Sequence, residues 1–189
     1  MPIDADALAA IATRFAARGG QPAVAYGVVA GGELVHSGGR GERWLGGPPP
    51  DADTVFRIAS MTKSFTATLV LMLRDRGALR LDDLAVDYVP ELRGVELPTP
   101  DSPPITIRHL LTMTAGFPTD DPWGDRQQGL DPAVFGRLLA DGAIRCAWAA
   151  GTKFEYSNLG YAVLGKVIES VTGADYARDP GRGAGPAWA

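Results

Sequence analysis

The sequence predicts an α+β fold, with one helix and one β-hairpin ahead of residue 60 and a helical region over residues 60–173. Two observations predict the first part: apolar residues recur at helical spacing from Asp4 to Arg18, and two strand-like runs flank Gly31-Gly32. A third observation predicts the second part, since apolar residues after the hairpin recur every three or four positions. Strands followed by a run of helices are typical of α+β proteins.

The first part, residues 1–59, begins with a predicted amphipathic helix. We expect this helix to end at Gly19-Gly20, because glycine readily adopts the positive φ of a helix C-terminus. The two strands are predicted over Ala23–Ala30 and Glu33–Ser37, joined by a tight glycine turn. Gly38–Asp53 is rich in glycine and proline and is predicted to be a loop.

Four helices are predicted in the second part. The first runs from Ser60 to about Arg76 and is apolar on most sides, so we expect it to be buried. The others cover Thr106–Thr114, Pro132–Ala140 and Ser157–Val171, the last of them capped by Gly173. Residues 174–189 are rich in Ala, Gly, Pro and Arg and have no apolar periodicity, so we expect a disordered or poorly packed tail.

Composition excludes several classes of protein. The 189 residues carry a formal net charge of -4, and the 15 arginines are scattered, so no basic surface for nucleic acid or anionic lipid is predicted. No stretch of about 18 apolar residues could span a membrane. The acidic start, Met1–Asp6, lacks the basic and apolar regions of a signal peptide, so we expect a cytoplasmic protein.

Metal and disulfide chemistry are likewise not predicted. Cys146 is the only cysteine, which leaves no intrachain disulfide and no cysteine-based zinc site. The two histidines, His36 and His109, lie far apart and lack ligand spacing. We therefore expect no metal and no cofactor.

Ser60-Met61-Thr62-Lys63 places a hydroxyl and an amine three residues apart at the start of a helix. Residues at this spacing share one helical face, so the lysine amine can reach the serine hydroxyl. A serine hydroxyl becomes a nucleophile only beside a base, and a lysine amine acts as a base near neutral pH only when its charged form is disfavoured. The alternative is structural, with Ser60 as a helix N-cap and Lys63 as a solvated residue of the first turn.

A second motif, Tyr156-Ser157-Asn158, lies in a turn just before the last predicted helix. Tyr156 and Asn158 are two residues apart and can project to the same side of an extended segment. A phenol beside a lysine can relay protons, and an asparagine amide can bind a substrate carbonyl and hold the lysine amine. The alternative is a buried tyrosine followed by an N-capping Ser157 or Asn158.

The sequence around both motifs resembles the serine β-lactamase and penicillin-binding-protein superfamily, in its class C-like branch. The similar stretches are Val55–Ala67, Leu79–Asp83, Ile105–Thr112 and Gly151–Tyr161. The resemblance implies a β-lactamase/transpeptidase-like fold with Ser60 as acylated nucleophile, Lys63 as general base, Tyr156 as proton relay and Asn158 as substrate-orienting group. It also implies a small-molecule or peptide substrate: a β-lactam, a D-amino-acid peptide or a carboxylic ester.

One expected feature of this superfamily is missing from the sequence. Its members carry a third motif, Lys-Thr-Gly or His-x-Gly, on a late strand that completes the oxyanion hole, but no histidine follows His109 and Lys166 lies inside a predicted helix. We therefore expect residues 1–173 to be a truncated domain, with the helical region present and the antiparallel sheet incomplete, followed by the tail.

The functional prediction is a serine hydrolase that forms an acyl-enzyme, with activity impaired by loss of the third motif. The alternative is a catalytically inactive remnant or binding module of the same fold, and a small helical binding domain with coincidental motifs is a third hypothesis. The sequence predicts no oligomeric state.

Overall fold

The computed structural model describes residues 4–119, 130–174 and 176 of the chain. The chain divides into two compact units, Met1–Ile58 and Ala59–Ala189. The first unit contains a helix and a two-stranded sheet, and the second contains helices. The predicted tail falls, apart from Ala174 and Tyr176, outside the described residues, so its disorder stays a prediction.

Helix α1 (Ala5–Ala17) begins where an aspartate can accept a backbone hydrogen bond. The Asp4 side chain accepts from the amide of Ala7 at 2.9 Å, which satisfies one of the free N–H groups of the first turn. Gly19 and Gly20 follow the helix with φ values of 82° and 93°, as the sequence predicts. Residues with a side chain rarely adopt such values, so the glycine pair ends the helix.

Strands β1 (Ala23–Ala30) and β2 (Glu33–Gly41) form an antiparallel hairpin that turns at two glycines with positive φ. The prediction that β2 ends at Ser37 was wrong, because the strand continues for four more residues. Gly38 pairs with Tyr26, and a Cβ at residue 38 would lie 2.5 Å from the Tyr26 hydroxyl. A Cβ at residue 39 would collide with the Pro50 carbonyl oxygen, so a glycine-rich stretch in this sequence marks close packing as well as a turn.

The second unit contains five α-helices among its described residues. They are α2 (Thr62–Asp75), α3 (Ala85–Tyr88), α4 (Ile107–Leu111), α5 (Pro132–Ala140) and α6 (Asn158–Thr172), with short 3-10 segments at Ala59–Met61 and Pro90–Gly94. No described helix is both long and apolar enough to cross a bilayer.

Helix α6 lies at the centre of the core of this unit. Val163, Leu164 and Val167 on this helix are completely buried and pack in one cluster with side chains from α2, α3, α4 and α5. Burying a side chain of this size contributes about 1.5–3 kcal/mol relative to exposure. The cluster therefore fixes the position of α6, whose first residue is the candidate site residue Asn158.

Helix α2 is buried on one face only, which corrects the prediction that it is buried on most sides. Leu69, Val70 and Leu73 are buried, but Met61 is 69% exposed and Phe65 is 55% exposed. In an α-helix, a step of four residues advances the side chain by about 40° around the axis. Apolar residues spaced by four therefore lie at different positions around the helix axis, facing solvent at residue 61 and the core at residue 73.

Candidate active site

Ser60 lies in the 3-10 turn Ala59–Met61, immediately before α2. The prediction that the α-helix itself begins at Ser60 was wrong by two residues, since the first α-helical residue is Thr62. The backbone changes direction just ahead of the serine, where Ala59 has a φ of 45°. This turn leaves Ser60 exposed, so its hydroxyl is accessible to a solute.

Lys63 lies on the first turn of α2, and its Nζ atom is 3.3 Å from Ser60 Oγ. The spacing of three residues therefore brings the amine to the hydroxyl, as the Ser-x-x-Lys pattern predicts. Lys63 Nζ also donates to Asn158 Oδ1 at 2.6 Å, which fixes the end of an otherwise flexible side chain. The lysine is half-buried, in contrast to the exposed serine.

Tyr156 and Asn158 come to Lys63 and Ser60 from the start of α6. Ser157 is the N-cap of that helix, is 3% exposed, and accepts from the amide of Gly160 at 3.0 Å. Tyr156 Oη is 2.6 Å from Ser60 Oγ and donates to Asn158 Oδ1 at 3.3 Å. The structural alternative for this motif is thus correct in part, because Ser157 caps the helix. Its neighbours Tyr156 and Asn158 project into the site.

The segment before Tyr156 is held by backbone hydrogen bonds to the chain that follows α4. The amide of Glu155 donates to the Met113 carbonyl at 2.9 Å, and the amide of Gly151 donates to the Thr114 carbonyl at 2.8 Å. Gly116 accepts from Ala147 at 2.8 Å, with a φ of 92°. These bonds orient the turn that carries the phenol.

Tyr161 belongs to the site, although sequence reasoning assigned it no role. Its ring centroid is 5.6 Å from Lys63 Nζ, and the ring of Tyr156 is 4.9 Å from the same atom. The Tyr161 hydroxyl donates to the Leu111 carbonyl at 3.1 Å. Burial raises the pKa of Tyr161, and the neighbouring Tyr156 raises it further. The available signal was spacing, because residues 158 and 161 share one face of a helix.

The geometry joins an exposed hydroxyl, an amine, a phenol and an amide in a ring of four hydrogen bonds. Ser60 Oγ has two groups in reach that can take or return a proton, Lys63 and Tyr156. Among the described residues, no cluster of three or more His, Cys, Asp or Glu side chains could hold a metal ion. The chemistry available from these four side chains is nucleophilic attack assisted by proton transfer.

The chain belongs to the Beta-lactamase family, whose profile matches residues 8–182. It is 31% identical over 137 residues to the D-alanyl-D-alanine-carboxypeptidase/endopeptidase AmpH of Escherichia coli (strain K12), a match that covers 67% of this chain and 33% of that protein. The predicted resemblance to serine β-lactamases and penicillin-binding proteins is therefore confirmed.

Solved structures give the same fold. The octameric penicillin-binding protein homologue from Pyrococcus abyssi superposes with a TM-score of 0.74 at 28% identity, over 92% of this chain and 40% of that one. The D-amino acid amidase from Ochrobactrum anthropi SV3 superposes with a TM-score of 0.71 at 25% identity, over 92% of this chain and 49% of that one. The predicted β-lactamase/transpeptidase-like α+β fold is confirmed, and this chain spans less than half the length of these relatives.

Proposed function

We propose that this protein is a serine hydrolase that cleaves an amide or ester through an acyl-enzyme on Ser60. The observation that supports the proposal best is the 2.6 Å contact between Ser60 Oγ and Tyr156 Oη, made beside a lysine amine 3.3 Å from the same oxygen. A nucleophile with two proton-transfer groups in reach is the arrangement that acyl transfer requires.

In acylation, an uncharged Lys63 amine takes the Ser60 proton while Oγ attacks the substrate carbonyl carbon. A C–O bond forms, the carbonyl π electrons move to its oxygen, and Lys63 becomes an ammonium. The intermediate then collapses: its C=O bond re-forms, the bond to the leaving group breaks, and Tyr156 gives its phenolic proton to the departing nitrogen or oxygen and regains one from the Lys63 ammonium. In deacylation, water loses a proton to the same two groups as its oxygen attacks the ester carbonyl carbon. The bond from that carbon to Ser60 Oγ then breaks, the carboxylic acid leaves, and the proton taken from water returns to Oγ.

Asn158 serves two functions in this proposal. Its Oδ1 atom accepts from Lys63 at 2.6 Å, which aims the amine, and its amide nitrogen can donate to a substrate carbonyl. The substrate is a small molecule or peptide, because the named relatives include a D-alanyl-D-alanine carboxypeptidase and a D-amino acid amidase. A β-lactam, a D-amino-acid peptide and a simple ester all offer the required carbonyl.

We further propose that residues 1–189 alone turn over slowly, because they contain no Lys-Thr-Gly or His-x-Gly after Asn158. In the superfamily that motif supplies a second oxyanion donor. Loss of one such donor costs about 100- to 1000-fold in rate. Acylation of Ser60 by an activated reagent is then the most sensitive readout.

The test is mass spectrometry of the intact chain after incubation with a fluorophosphonate and, separately, with penicillin. We expect one adduct, localised to Ser60, that disappears in Ser60→Ala and persists in Ser64→Ala. Ser64 is a suitable control because it is also exposed and lies four residues further along. A folded protein that forms no adduct with either reagent would support the inactive binding module instead.

A further inference from the structure

Lys63 Nζ lies close to two tyrosine rings, and only one of these tyrosines, Tyr156, has a role in the catalytic proposal. The Tyr156 ring centroid is 4.9 Å from Lys63 Nζ and the Tyr161 centroid is 5.6 Å from it. Both distances fall within the range in which the negative face of a ring attracts a cation. The two tyrosines approach from one element, since Tyr156 precedes α6 and Tyr161 lies in its first turn.

We propose that Tyr161 is a positioning residue that stabilises the ammonium formed when Lys63 takes the Ser60 proton. This inference rests on the proposed function for its catalytic meaning, but the contact with Lys63 can be tested without catalysis. The structure assigns the aromatic ring, rather than the phenolic hydroxyl, as the group that acts on the lysine.

The hydroxyl of Tyr161 has a separate partner, which explains how the ring is held. It donates to the Leu111 carbonyl at 3.1 Å, near the C-terminal end of the short helix α4. A phenol anchored at its far end keeps its ring face in a fixed orientation. Tyr161 is half-buried, so water screens the contact with Lys63 less than it would at an exposed site.

The physical consequence follows from the contact. The ring holds Nζ beside Ser60 Oγ and stabilises the positive charge that develops at Nζ as the Ser60 O–H bond breaks, which raises the rate of acylation. Removing the ring should loosen the lysine side chain and lower the rate of acylation.

The deciding experiment follows the lysines by NMR in protein labelled with ¹³C at the lysine Cε. The chain has three lysines, so the Lys63 signal is assigned by comparison with Lys153→Arg and Lys166→Arg. In Tyr161→Leu we expect the Lys63 Cε signal to move, because the aromatic ring near this side chain is lost. In Tyr161→Phe, which keeps the ring and loses the hydroxyl, we expect the signal to stay at its wild-type position.

Tyr88→Leu is the matched control, because Tyr88 is also half-buried and its hydroxyl donates to Asp83 Oδ2 at 2.7 Å. This variant loses a ring and a hydrogen bond at comparable structural cost and should leave the Lys63 signal unchanged. Equal shifts in Tyr161→Phe and Tyr161→Leu, or no shift in either, would overturn the inference.

Acylation kinetics then separate this inference from the proposed function. With a fluorophosphonate, the acylation rate should fall about 3- to 10-fold in Tyr161→Leu and stay at the wild-type value in Tyr161→Phe. An unchanged rate in Tyr161→Leu despite a moved Lys63 signal would contradict a role of the ring in acylation. Absence of any Ser60 adduct in the wild type would overturn the hydrolase proposal, while the NMR result would still decide whether the Tyr161 ring holds the Lys63 side chain.

Discussion

Tyr156 makes the shortest contact with Ser60, and its hydroxyl can be removed without disturbing its ring. In Tyr156→Phe the ring remains beside Lys63, but the 2.6 Å contact between Ser60 Oγ and the phenol is lost. We expect the acylation rate with a fluorophosphonate to fall by about 100-fold or more, which is the usual contribution of a positioned proton-transfer group. Mass spectrometry of samples quenched at successive times measures the rate at which the adduct forms.

Tyr88→Phe controls for loss of a tyrosine hydroxyl elsewhere in the fold. It removes the hydrogen bond to Asp83 and should leave the acylation rate within about twofold of the wild type. If Tyr156→Phe reacts as fast as Tyr88→Phe, proton transfer does not pass through the phenol. Lys63 would then be sufficient as the base.

At the scale of single residues, the sequence selected the four candidate site residues but not all of their surroundings. Ser60, Lys63, Tyr156 and Asn158 are chemically distinctive residues in recognisable spacings, so pattern and resemblance were enough to select them. Tyr161 carries only the weak signal of its helical spacing from Asn158, because an aromatic residue on an amphipathic helix is most often part of the core. The distance to Lys63 identifies it.

At the scale of elements, the turn after α4 positions the segment that carries the Tyr156 phenol. Gly116 lies in this turn, at a position with no room for a side chain. Gly116 is buried with a φ of 92°, and a Cβ there would lie 2.0 Å from the Trp148 carbonyl oxygen. We expect Gly116→Ala to lower the free energy of unfolding by at least about 2 kcal/mol, since neither backbone can yield easily. Urea denaturation measures the change.

Gly77→Ala separates backbone strain from the steric clash. Gly77 also has a positive φ, of 71°, but its Cβ would meet no atom within 4 Å. This variant should cost only about 1 kcal/mol, the usual cost of a side chain in the left-handed region. Equal losses in the two variants would show that the Trp148 carbonyl moves aside.

Helix α4 is capped by a titratable residue, so its stability should depend on pH. His109 Nδ1 accepts from the amide of Thr106 at 3.2 Å, and the Thr106 hydroxyl accepts from the amide of His109 at 3.2 Å. Burial lowers the pKa of His109, and Arg108 lowers it further, against the opposite effects of Asp82 and a backbone hydrogen bond at Pro104. The neutral ring is therefore the form that the folded state prefers.

The sign of the pH dependence follows from that lowered pKa. The His109 contribution is fully present above the unfolded-state pKa of about 6.5 and is lost as the pH falls towards the folded-state pKa, because the unfolded chain binds the proton first. His109→Gln keeps an acceptor for Thr106 and removes the titration. The free energy of unfolding, measured by urea between pH 8 and pH 5, should fall less in this variant than in the wild type.

The ends of helices and strands could be predicted where a capping residue defines them. They could not be predicted where packing against distant residues defines them. Asp4, Ser157 and Gly173 each supply a cap, so the helices they bound were predicted to within one or two residues. The end of β2 and the 3-10 turn at Ser60 depend on contacts distant in sequence. Glycine at residue 39 is required by the Pro50 carbonyl, which no local pattern reveals.

At the scale of the whole molecule, the four site residues come together only because α2 and α6 pack in one core. Ser60 and Tyr156 are 96 residues apart, and no periodicity relates them. Their meeting could be predicted from the family resemblance but not from spacing alone. The buried face of α6, by contrast, follows from the apolar pattern, whereas the pattern of α2 predicted burial on more sides than the structure shows.

Burial is distributed unequally over the chain, and amide hydrogen exchange should follow that distribution. Among residues 4–58, the buried side chains are Ala12 and Pro50, whereas α6 alone contributes Val163, Leu164, Val167 and others to the core. A two-stranded hairpin with little buried apolar surface is marginally stable. We expect the paired amides of β1 and β2 to be protected roughly 100-fold less than those of α6, because they open locally.

Leu164→Ala tests whether the hairpin opens independently of the core. Leu164 is completely buried, and its truncation should lower the stability of the core by about 2–5 kcal/mol. Protection of the α6 amides should fall accordingly, while protection of the β1 and β2 amides should remain at the wild-type level, since local opening does not require the core to unfold. A fall by the same factor in both sets would mean that the hairpin amides exchange only when the whole chain unfolds, and that burial does not set the order of stability.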